Sequence, residues 1–219
     1  LINIPDTVGY ASPNEFGELI RDIRHEVICN RNVMLSVHCH NDLGLAVSNT
    51  LAAIMNGADW FDCTVNGIGE RAGNAYLEEV VMALATRKDA FDAITSLNTT
   101  LLYKTSHLVS SVTGVYIPPN KAIVGKNAFA HQSGIHQHGI LANPATYEIM
   151  TPQSVGFRES TILLGKLSGH HAFEEKLEEL GIRVDDEIEK SAFKSFKNLS
   201  CRKKDVSDDD IRAVVEEAV

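Results

Sequence analysis

The sequence predicts an α/β fold with parallel strands, because short apolar runs alternate with helical patterns over the first ninety or so residues. A polar motif directly follows each run, at Asp6-Thr7, at His38–His40 and at Gly67–Asn74. Parallel strands joined by helices bring their carboxyl ends to one edge, where α/β enzymes carry their active sites. The pattern fits a TIM barrel and also an open doubly wound sheet.

The first part of the chain reads as three strand–helix pairs. Ser12 and Pro13 are residue types favoured at the N-cap and at the first position of a helix, so the first helix is predicted to begin there. Apolar residues at helical spacing continue this helix to Val27. The strands are predicted over residues 1–4, 33–38 and 60–65, and the two further helices over 46–56 and 77–85.

After residue 90 the pattern becomes mainly helical. A helix is predicted over 96–113, and the prolines at 118 and 119 cannot continue it. Residues 120–150 are rich in Gly, His, Asn and Ala and are predicted to form an extended arm. Three more helices are predicted over 168–181, 185–199 and 207–219. The resulting division has three parts. Residues 1–95 contain the βα units, 96–150 a connecting helix and arm, and 151–219 a small helical subdomain.

Composition excludes several classes of protein. The net charge of −9 and the isoelectric point near 5.4 argue against nucleic-acid binding, which requires clustered Lys and Arg side chains. No apolar run approaches the ~20 residues that span a bilayer, so no membrane association is expected. The four cysteines lack Cys-x-x-Cys spacing and are too few for a disulfide framework, which favours a reducing, cytoplasmic location.

His38 and His40 are candidate metal ligands. They are separated by one residue at the end of an apolar run, so in a strand both imidazoles would project from the same face. Imidazole suits borderline divalent metals, and an amide or carboxylate oxygen from a neighbouring loop can complete the coordination. Asn74 is the candidate for that oxygen, whereas Cys39 is expected to point to the opposite face.

Other interpretations of these motifs remain open at this stage. A histidine on a strand is often structural, and Gly67 and Gly69 are also compatible with simple turns. A dinucleotide fingerprint is disfavoured, because Ala72 occupies the position of its third glycine. Glu70 and Arg71 fit an internal ion pair that holds the loop as well as groups that face a substrate.

Four motifs in this order resemble the α-isopropylmalate, homocitrate and citramalate synthase family, whose members are acyl-CoA-condensing TIM-barrel enzymes. The motifs are Pro5–Tyr10, His38–Gly44, Asn66–Asn74 and Ser133–Gln137. The stretches Tyr147–Gly156 and Leu164–Gly169 are most similar to the bacterial α-isopropylmalate branch. The resemblance implies the C-terminal part of a TIM barrel followed by a mainly helical subdomain.

The resemblance also implies an activity. Members of this branch condense acetyl-CoA with 2-oxoisovalerate to give 2-isopropylmalate and CoA in leucine biosynthesis, by a Claisen condensation assisted by a divalent metal. Mn²⁺, Mg²⁺ and Zn²⁺ are all candidates for the ion. Homocitrate and citramalate synthases are the alternatives within the family, and they differ in the 2-oxo acid that they accept.

Individual residues take their expected roles from the matching motifs. His38, His40 and Asn74 match the metal ligands, and Thr7 matches a residue that donates a hydrogen bond to the substrate carboxylate. His136 matches a histidine implicated in acid–base catalysis. Tyr147 and Glu70 are further catalytic candidates. Because the family's histidine lies on a segment that covers the active site of a partner subunit, a homodimer or larger assembly is expected.

One family motif has no counterpart in this chain. Family members begin with a barrel strand that carries Asp-Arg-Glu, whose Asp completes the metal coordination and whose Arg faces the substrate. We therefore expect the chain to be an incomplete portion of a larger enzyme, inactive in isolation. The alternative from a different class is a non-catalytic fragment that binds a metal without turnover.

Overall fold

The computed structural model describes residues 1–29, 32–131, 139, 143, 146–157, 161–162, 164–166, 168–203 and 206–218. The chain forms two compact units. The first comprises Leu1–Ala128 with Gln153–Phe157, and the second comprises Phe129–Pro152 with Arg158–Val219. The three-part division with boundaries at 95 and 150 stays a prediction.

The first unit is built on a parallel sheet of three strands, in the order β1-β2-β3. The strands are β1 (Ile2–Asp6), β2 (Leu35–Cys39) and β3 (Trp60–Asp62). Helices α1 (Pro13–Asp22), α2 (Ala46–Met55) and α3 (Leu77–Thr86) follow them in turn. The register places Pro5 opposite His38, and His38 opposite Asp62.

All three helices pack against the same face of this sheet. Leu35, Val37 and Cys39 are fully buried in a core that every helix enters. The helical residues of that core are Phe16 and Ile20 from α1, Ala46 and Ala53 from α2, and Val80 and Leu84 from α3. Ser36 and His38 therefore point to the other face.

Sequential parallel strands with every helix on one face are the arrangement of a barrel wall. A doubly wound sheet instead reverses its strand order and carries helices on both faces. The observed geometry decides between the two folds that the sequence left open. The predicted α/β class, the last part of a TIM barrel followed by a helical subdomain, is confirmed.

The first helix begins as its sequence predicts but ends differently. Ser12 is its N-cap, and the Glu15 carboxylate accepts hydrogen bonds from the Ser12 N–H (2.9 Å) and hydroxyl (2.6 Å). Residues Ile23–Val27 form a π-helical turn. Its wider spacing shifts the helical phase, so Val27, predicted to continue the buried face, is 73% exposed.

The helix predicted from residue 96 begins later than expected. A 3₁₀ turn occupies Thr99–Leu101, and α4 spans Leu102–Thr113. The Asn98 side chain accepts a hydrogen bond from the Thr100 N–H, 3.2 Å away, and so caps the turn. Side-chain capping competes with helical pairing at Asn, which is why helical structure starts after this residue.

The second unit is mainly helical. It contains the short parallel strands β4 (Ala130–His131) and β5 (Thr161–Ile162). Helices α5 (His170–Glu179), α6 (Asp186–Ser200) and α7 (Asp208–Glu216) match the three predicted helical ranges, with α6 ending one residue later than predicted. Phe173 and Phe196 are fully buried at their centre, with ring centroids 5.2 Å apart. Within the described ranges, no helix is long and apolar enough to cross a bilayer.

Asp210 makes the stability of α7 depend on pH. Its carboxylate accepts hydrogen bonds from Lys203 Nζ (2.5 Å) and from the N–H and hydroxyl of the N-cap Ser207 (both 2.7 Å). These bonds, the one from Lys203 above all, lower the pKa of Asp210 to about 2. Because this pKa lies below that of the unfolded carboxyl, its contribution to stability is complete at neutral pH. The contribution is lost as the pH falls from about 4 to about 2.

We predict that Asp210→Asn lowers the melting temperature near neutral pH and that its difference from the wild type shrinks in acid. The measurement is thermal unfolding followed by circular dichroism over that pH range. Asp209→Asn removes the same charge one position earlier in α7 and should have a smaller effect. A difference between wild type and Asp210→Asn that does not change with pH would contradict the assignment.

Candidate metal centre

His38 and His40 lie together at the carboxyl end of β2. Their ring centroids are 4.8 Å apart, with the rings nearly edge to face. His38 belongs to the strand, and His40 follows its end and forms a β-bridge with Asn74. The structure thus brings together the three residues that the sequence proposed as metal ligands, on the face of the sheet that the helices leave free.

Hydrogen bonding fixes which imidazole nitrogen of His40 is available. Nδ1 lies 3.0 Å from the carbonyl oxygen of Asp6, an atom that can only accept a hydrogen bond. Nδ1 must therefore carry the proton, which leaves the lone pair of Nε2 for a ligand. In many protein metal sites, a backbone carbonyl accepts a hydrogen bond from the histidine nitrogen that does not bind the metal.

His38 is oriented by a carboxylate on the neighbouring strand. Its Nδ1 lies 3.8 Å from Asp62 Oδ2. The same Asp62 oxygen accepts a 2.7 Å hydrogen bond from the Asn3 side chain on β1. Asn3, His38 and Asp62 thus interact across three adjacent strands, and Nδ1 of His38 faces the negative charge.

Asp6 connects the first strand to the site. Its carbonyl oxygen also accepts hydrogen bonds from the backbone N–H groups of Gly9 and His40, each at 3.3 Å. Its buried carboxylate accepts from the Tyr10 N–H at 3.1 Å and from the Asn49 amide at 3.3 Å. Sequence reasoning noted the Asp6-Thr7 pair but gave a role only to Thr7. The structure shows that Asp6 positions His40.

Asn74 presents an oxygen atom without a hydrogen-bond partner. The residue is 8% exposed, and its Nδ2 donates to the carbonyl of Ile68 at 3.1 Å. The Oδ1 atom is buried and has no hydrogen-bond partner among the described residues. A buried unsatisfied oxygen is unfavourable, and a cation would satisfy it. The two imidazoles and this oxygen therefore fit a divalent metal ion.

Two glycines shape the loop that carries Asn74. A Cβ on Gly73, whose φ is +93°, would lie 1.9 Å from the carbonyl oxygen of Gly67. A Cβ on Gly69 would lie 2.3 Å from Nδ2 of Asn74. Only glycine permits the chain to pass this closely and keeps the Asn74 amide in its observed orientation.

Arg71 joins the three loops that surround the site. Its guanidinium donates to Asp42 through Nε (2.7 Å) and Nη2 (3.0 Å), and Nη2 also donates to the carbonyl of Thr7 (2.8 Å). The hydrogen bond from Arg71 lowers the pKa of Asp42, and the same bond raises the pKa of Arg71. Residues from the loops after β1, β2 and β3 are thereby held in one network.

Glu70 lies at the exposed edge of this network. Its side chain is 83% exposed, and Oε2 lies 3.4 Å from Nη1 of Arg71. An exposed ion pair of this kind contributes little to stability. The catalytic role of Glu70 stays a prediction, as does the substrate contact of Thr7, which is exposed and accepts the Arg71 hydrogen bond through its carbonyl.

The remaining catalytic candidates belong to the second unit. His136 lies outside the described residues. Tyr147 is 40% exposed, and its ring packs so closely on Gly139 that a Cβ there would lie 2.4 Å from a ring carbon. Beside it in sequence, Glu148 pairs with His131 at 3.2 Å, and both of these side chains are largely buried. The catalytic roles of His136 and Tyr147 stay predictions.

A cleft of about 310 Å³ adjoins the glycine-rich loop. Tyr76 lies on one side of it, and Lys121 Nζ lies 3.4 Å from the centroid of the Tyr76 ring. The buried carboxylate of Glu78 stabilises the loop, since its Oε2 accepts a hydrogen bond from the Asn66 N–H at 3.1 Å. Burial raises the pKa of Glu78, and Lys121 Nζ lies 3.6 Å from its other oxygen.

Cys39 is not part of the site. It lies in the apolar core beneath the helices, as strand alternation predicts. Burial also raises the pKa of its thiol to about 12. Its position in the core, on the opposite face from His38, places it away from the candidate ligands.

Comparisons with known proteins place the sequence among known families. Residues 1–109 match the family described as HMGL-like, and residues 123–204 match the homocitrate synthase post-HMGL domain-like family. The chain is 59% identical over 218 residues to a 2-isopropylmalate synthase of Ruminiclostridium cellulolyticum, covering 100% of the chain and 43% of that relative. It is 58% identical over 219 residues to 2-isopropylmalate synthase 1 of Caldanaerobacter subterraneus subsp. tengcongensis, covering 100% of the chain and 55% of that relative.

The chain therefore spans about half the length of the curated relatives that it matches, or somewhat less. Among solved structures it is similar to an HMG-CoA lyase, crystallised with coenzyme A and 3-methylmalate, at 26% identity and a TM-score of 0.44. That alignment covers 52% of this chain and 37% of the lyase.

The close approach at Gly73 gives a test of the loop. We predict that Gly73→Ala destabilises the chain much more than Gly44→Ala, although both glycines have positive φ and pay a similar backbone penalty of about 1–2 kcal/mol. A Cβ at Gly44 meets no atom within 4 Å, whereas at Gly73 it meets backbone. Relieving that clash should cost roughly 1–3 kcal/mol more. Urea denaturation measures the free energy of unfolding of both variants. Equal losses of stability would show that the loop backbone adjusts freely to the added Cβ.

Proposed function

The chain belongs to the α-isopropylmalate, homocitrate and citramalate synthase family, and we propose that it is part of a 2-isopropylmalate synthase acting in leucine biosynthesis. The reaction joins acetyl-CoA to 2-oxoisovalerate and releases 2-isopropylmalate and CoA. The observation that carries this proposal is the convergence of His38, His40 and the unpaired oxygen of Asn74 at the ends of the strands.

The three ligand candidates suit a divalent cation that binds a 2-oxo acid. His38, His40 and Asn74 would hold such an ion, which would supply Lewis-acid polarisation of the substrate's keto group. The protein's own contribution is orientation, because the Asp6 carbonyl accepts a hydrogen bond from Nδ1 of His40 and the Asp62 carboxylate lies 3.8 Å from Nδ1 of His38. Zn²⁺, Mn²⁺ and Mg²⁺ are the proposed candidates, and the two imidazole nitrogens favour Zn²⁺ or Mn²⁺ over Mg²⁺, which prefers oxygen ligands.

The carbon–carbon bond requires a base that removes a proton from the acetyl methyl group. The resulting enolate attacks the keto carbon of 2-oxoisovalerate, and water then cleaves the thioester and releases CoA. His136 is the proposed acid–base group, because the pKa of imidazole lies near neutral pH. Tyr147 and Glu70 are further candidates for this proton transfer, and Thr7 is the proposed donor to the substrate carboxylate.

The cleft beside the glycine-rich loop is the proposed approach route for acetyl-CoA. It opens beside the segment that carries Asn74, and its lining combines Tyr116, Pro118 and the Lys121 ammonium with backbone of the glycine-rich loop. Apolar and aromatic groups suit the pantetheine arm, whereas the Lys121 ammonium already pairs with Glu78 and Glu79. We propose that the complete enzyme acts in the cytoplasm as a homodimer or larger assembly.

The activity is best tested in a chimera, because the relatives are about twice as long as this chain. Residues 1–219 would replace the aligned segment of the Ruminiclostridium cellulolyticum enzyme, to which they are 59% identical. We predict CoA release with acetyl-CoA and 2-oxoisovalerate that exceeds release with 2-oxoglutarate or pyruvate. His38→Ala in this chimera should lower kcat by roughly 10²–10³-fold, the scale for loss of one electrostatic stabiliser.

The matched control in the chimera is His25→Ala, which removes an exposed histidine from the π-helical turn. It should leave kcat unchanged. A preference for 2-oxoglutarate would move the chain to the homocitrate branch, and a preference for pyruvate to the citramalate branch. Full activity of the His38→Ala chimera would reject the metal centre as the catalytic site.

Assembly is tested by complementation between two inactive chimeras, His38→Ala and His136→Ala. If His136 serves the active site of the partner subunit, a mixed dimer contains one site with both histidines intact. Co-expression with two different affinity tags isolates such dimers. We predict that they regain up to about half of the wild-type activity per dimer. Purified mixed dimers as inactive as both parents would place His136 in the active site of its own subunit.

A further inference from the structure

A second cluster of potential metal ligands lies in the second unit, on helices α5 and α6. His170, Glu174 and Glu189 each present one ligand atom, and these atoms all lie within 4.8 Å of one another. His170 Nδ1 lies 3.2 Å from Glu174 Oε1, and His170 Nε2 lies 3.4 Å from Glu189 Oε1. None of the three belongs to the motifs that define the candidate metal centre.

The packing of the two helices determines this geometry. His170 and Glu174 are four residues apart on α5, so their side chains share one face of the helix. Glu189 and Phe193 are likewise four residues apart on α6. The Phe193 ring packs edge-on against His170, with centroids 4.8 Å apart, and so holds the imidazole beside Glu189. The buried rings of Phe173 on α5 and Phe196 on α6 also pack against each other.

The electrostatics of the cluster favour a cation. Glu174 and Glu189 bring two carboxylates to the same imidazole, and one ligand atom of each residue lies within 4.8 Å of the others. Carboxylates so close repel each other. Nε2 of His170 is buried and makes no hydrogen bond among the described residues, with Glu189 Oε1 3.4 Å away. A cation held between the carboxylates would offset their repulsion and use this nitrogen as a ligand.

From this geometry we propose that His170, Glu174 and Glu189 bind a divalent transition-metal ion of the Zn²⁺ type. Ligands in a tetrahedral zinc site, with bonds of roughly 2.0–2.2 Å, are separated by about 3.3–3.6 Å. Only one imidazole nitrogen can bind the ion, and the 3.4 Å between His170 Nε2 and Glu189 Oε1 matches that spacing. The fourth position is filled by water. The ion links α5 to α6 and stabilises the helical unit.

A route for the ion is present in the same unit. A cleft of about 950 Å³ is lined by both glutamates of the cluster and by further acidic side chains of α5, among them Glu175 and Glu178. The acidic lining attracts cations to the cluster, and the opening gives the access that a reversible metal site needs. His171 also contacts Glu174, at 3.1 Å, and lies on the wall of this cleft.

The test uses the full chain with the candidate metal centre removed by His38→Ala and His40→Ala. Zn²⁺ alone is the probe. After dialysis against Zn²⁺ and then metal-free buffer, elemental analysis should find one zinc per chain. Thermal unfolding should show a melting temperature that rises with the concentration of Zn²⁺, because only the folded chain contains the site. Mg²⁺ should produce no comparable rise, since it disfavours imidazole.

Two substitutions separate a defined site from a diffuse acidic surface. Glu189→Gln should abolish both the bound zinc and the rise in melting temperature. Glutamine can still hydrogen-bond to Glu174 and relieves the contact between carboxylates, so the metal-free variant is expected to fold. Glu175→Gln removes an equal charge from the same cleft outside the cluster, and it should bind zinc as the parent does.

Substitution of Co²⁺ for Zn²⁺ gives an independent spectroscopic readout. Tetrahedral Co²⁺ bound by one imidazole and two carboxylates should show visible absorption bands that disappear in Glu189→Gln. The proposal is overturned if the parent retains no zinc, if Glu189→Gln retains as much as the parent, or if Glu175→Gln loses as much as Glu189→Gln. In the first case the cluster is a set of ion pairs between histidine and glutamate that binds no metal. None of these outcomes depends on the proposed enzymatic activity.

Discussion

The arrangement of the first unit depends on the burial of one face of its parallel sheet. Leu35, Val37 and Cys39 lie under all three helices, and each of them is completely inaccessible to solvent. Because side chains alternate along a strand, burying these three residues forces Ser36 and His38 to the other face. The hydrophobic core therefore determines the direction of the polar groups, and the face that it leaves free is the one on which the candidate metal centre lies.

Interactions between the loops then set the positions of these polar groups relative to one another. Arg71 contacts the loops after β1 and β2 while it belongs to the loop after β3. The carbonyl of Asp6 fixes the tautomer of His40, and the close passage of Gly73 over Gly67 brings Asn74 to the same place. Each contact joins residues from different strand ends. Such preorganisation is what a metal site needs, because coordination tolerates only small errors in ligand position.

The two units surround their carboxylates differently. In the first, Glu78 is almost fully buried. Its Oε2 accepts a hydrogen bond from the Asn66 N–H, and Lys121 Nζ lies 3.6 Å from its Oε1, so that it stabilises the loop. In the second, Glu174 and Glu189 are partly exposed, and the described groups that pair with them are imidazoles. Two carboxylates and an imidazole at this spacing can share one cation. This contrast is the physical basis for assigning a metal site to the second pair.

The sequence by itself determined the features that depend on local spacing. The alternation of strands and helices, the start of α1 at Ser12-Pro13 and the common direction of His38 and His40 follow from periodicity and capping preferences alone. The tertiary structure decided the barrel-like placement of the helices and the roles of Asp6, Asp62 and Arg71. It also decided the pairing of His170 with Glu189. These contacts join residues that are 19 to 64 positions apart, and strand register and helix packing bring them together. Local sequence preferences carry no information about contacts between residues so far apart in the chain. These contacts therefore appear only when the core has formed.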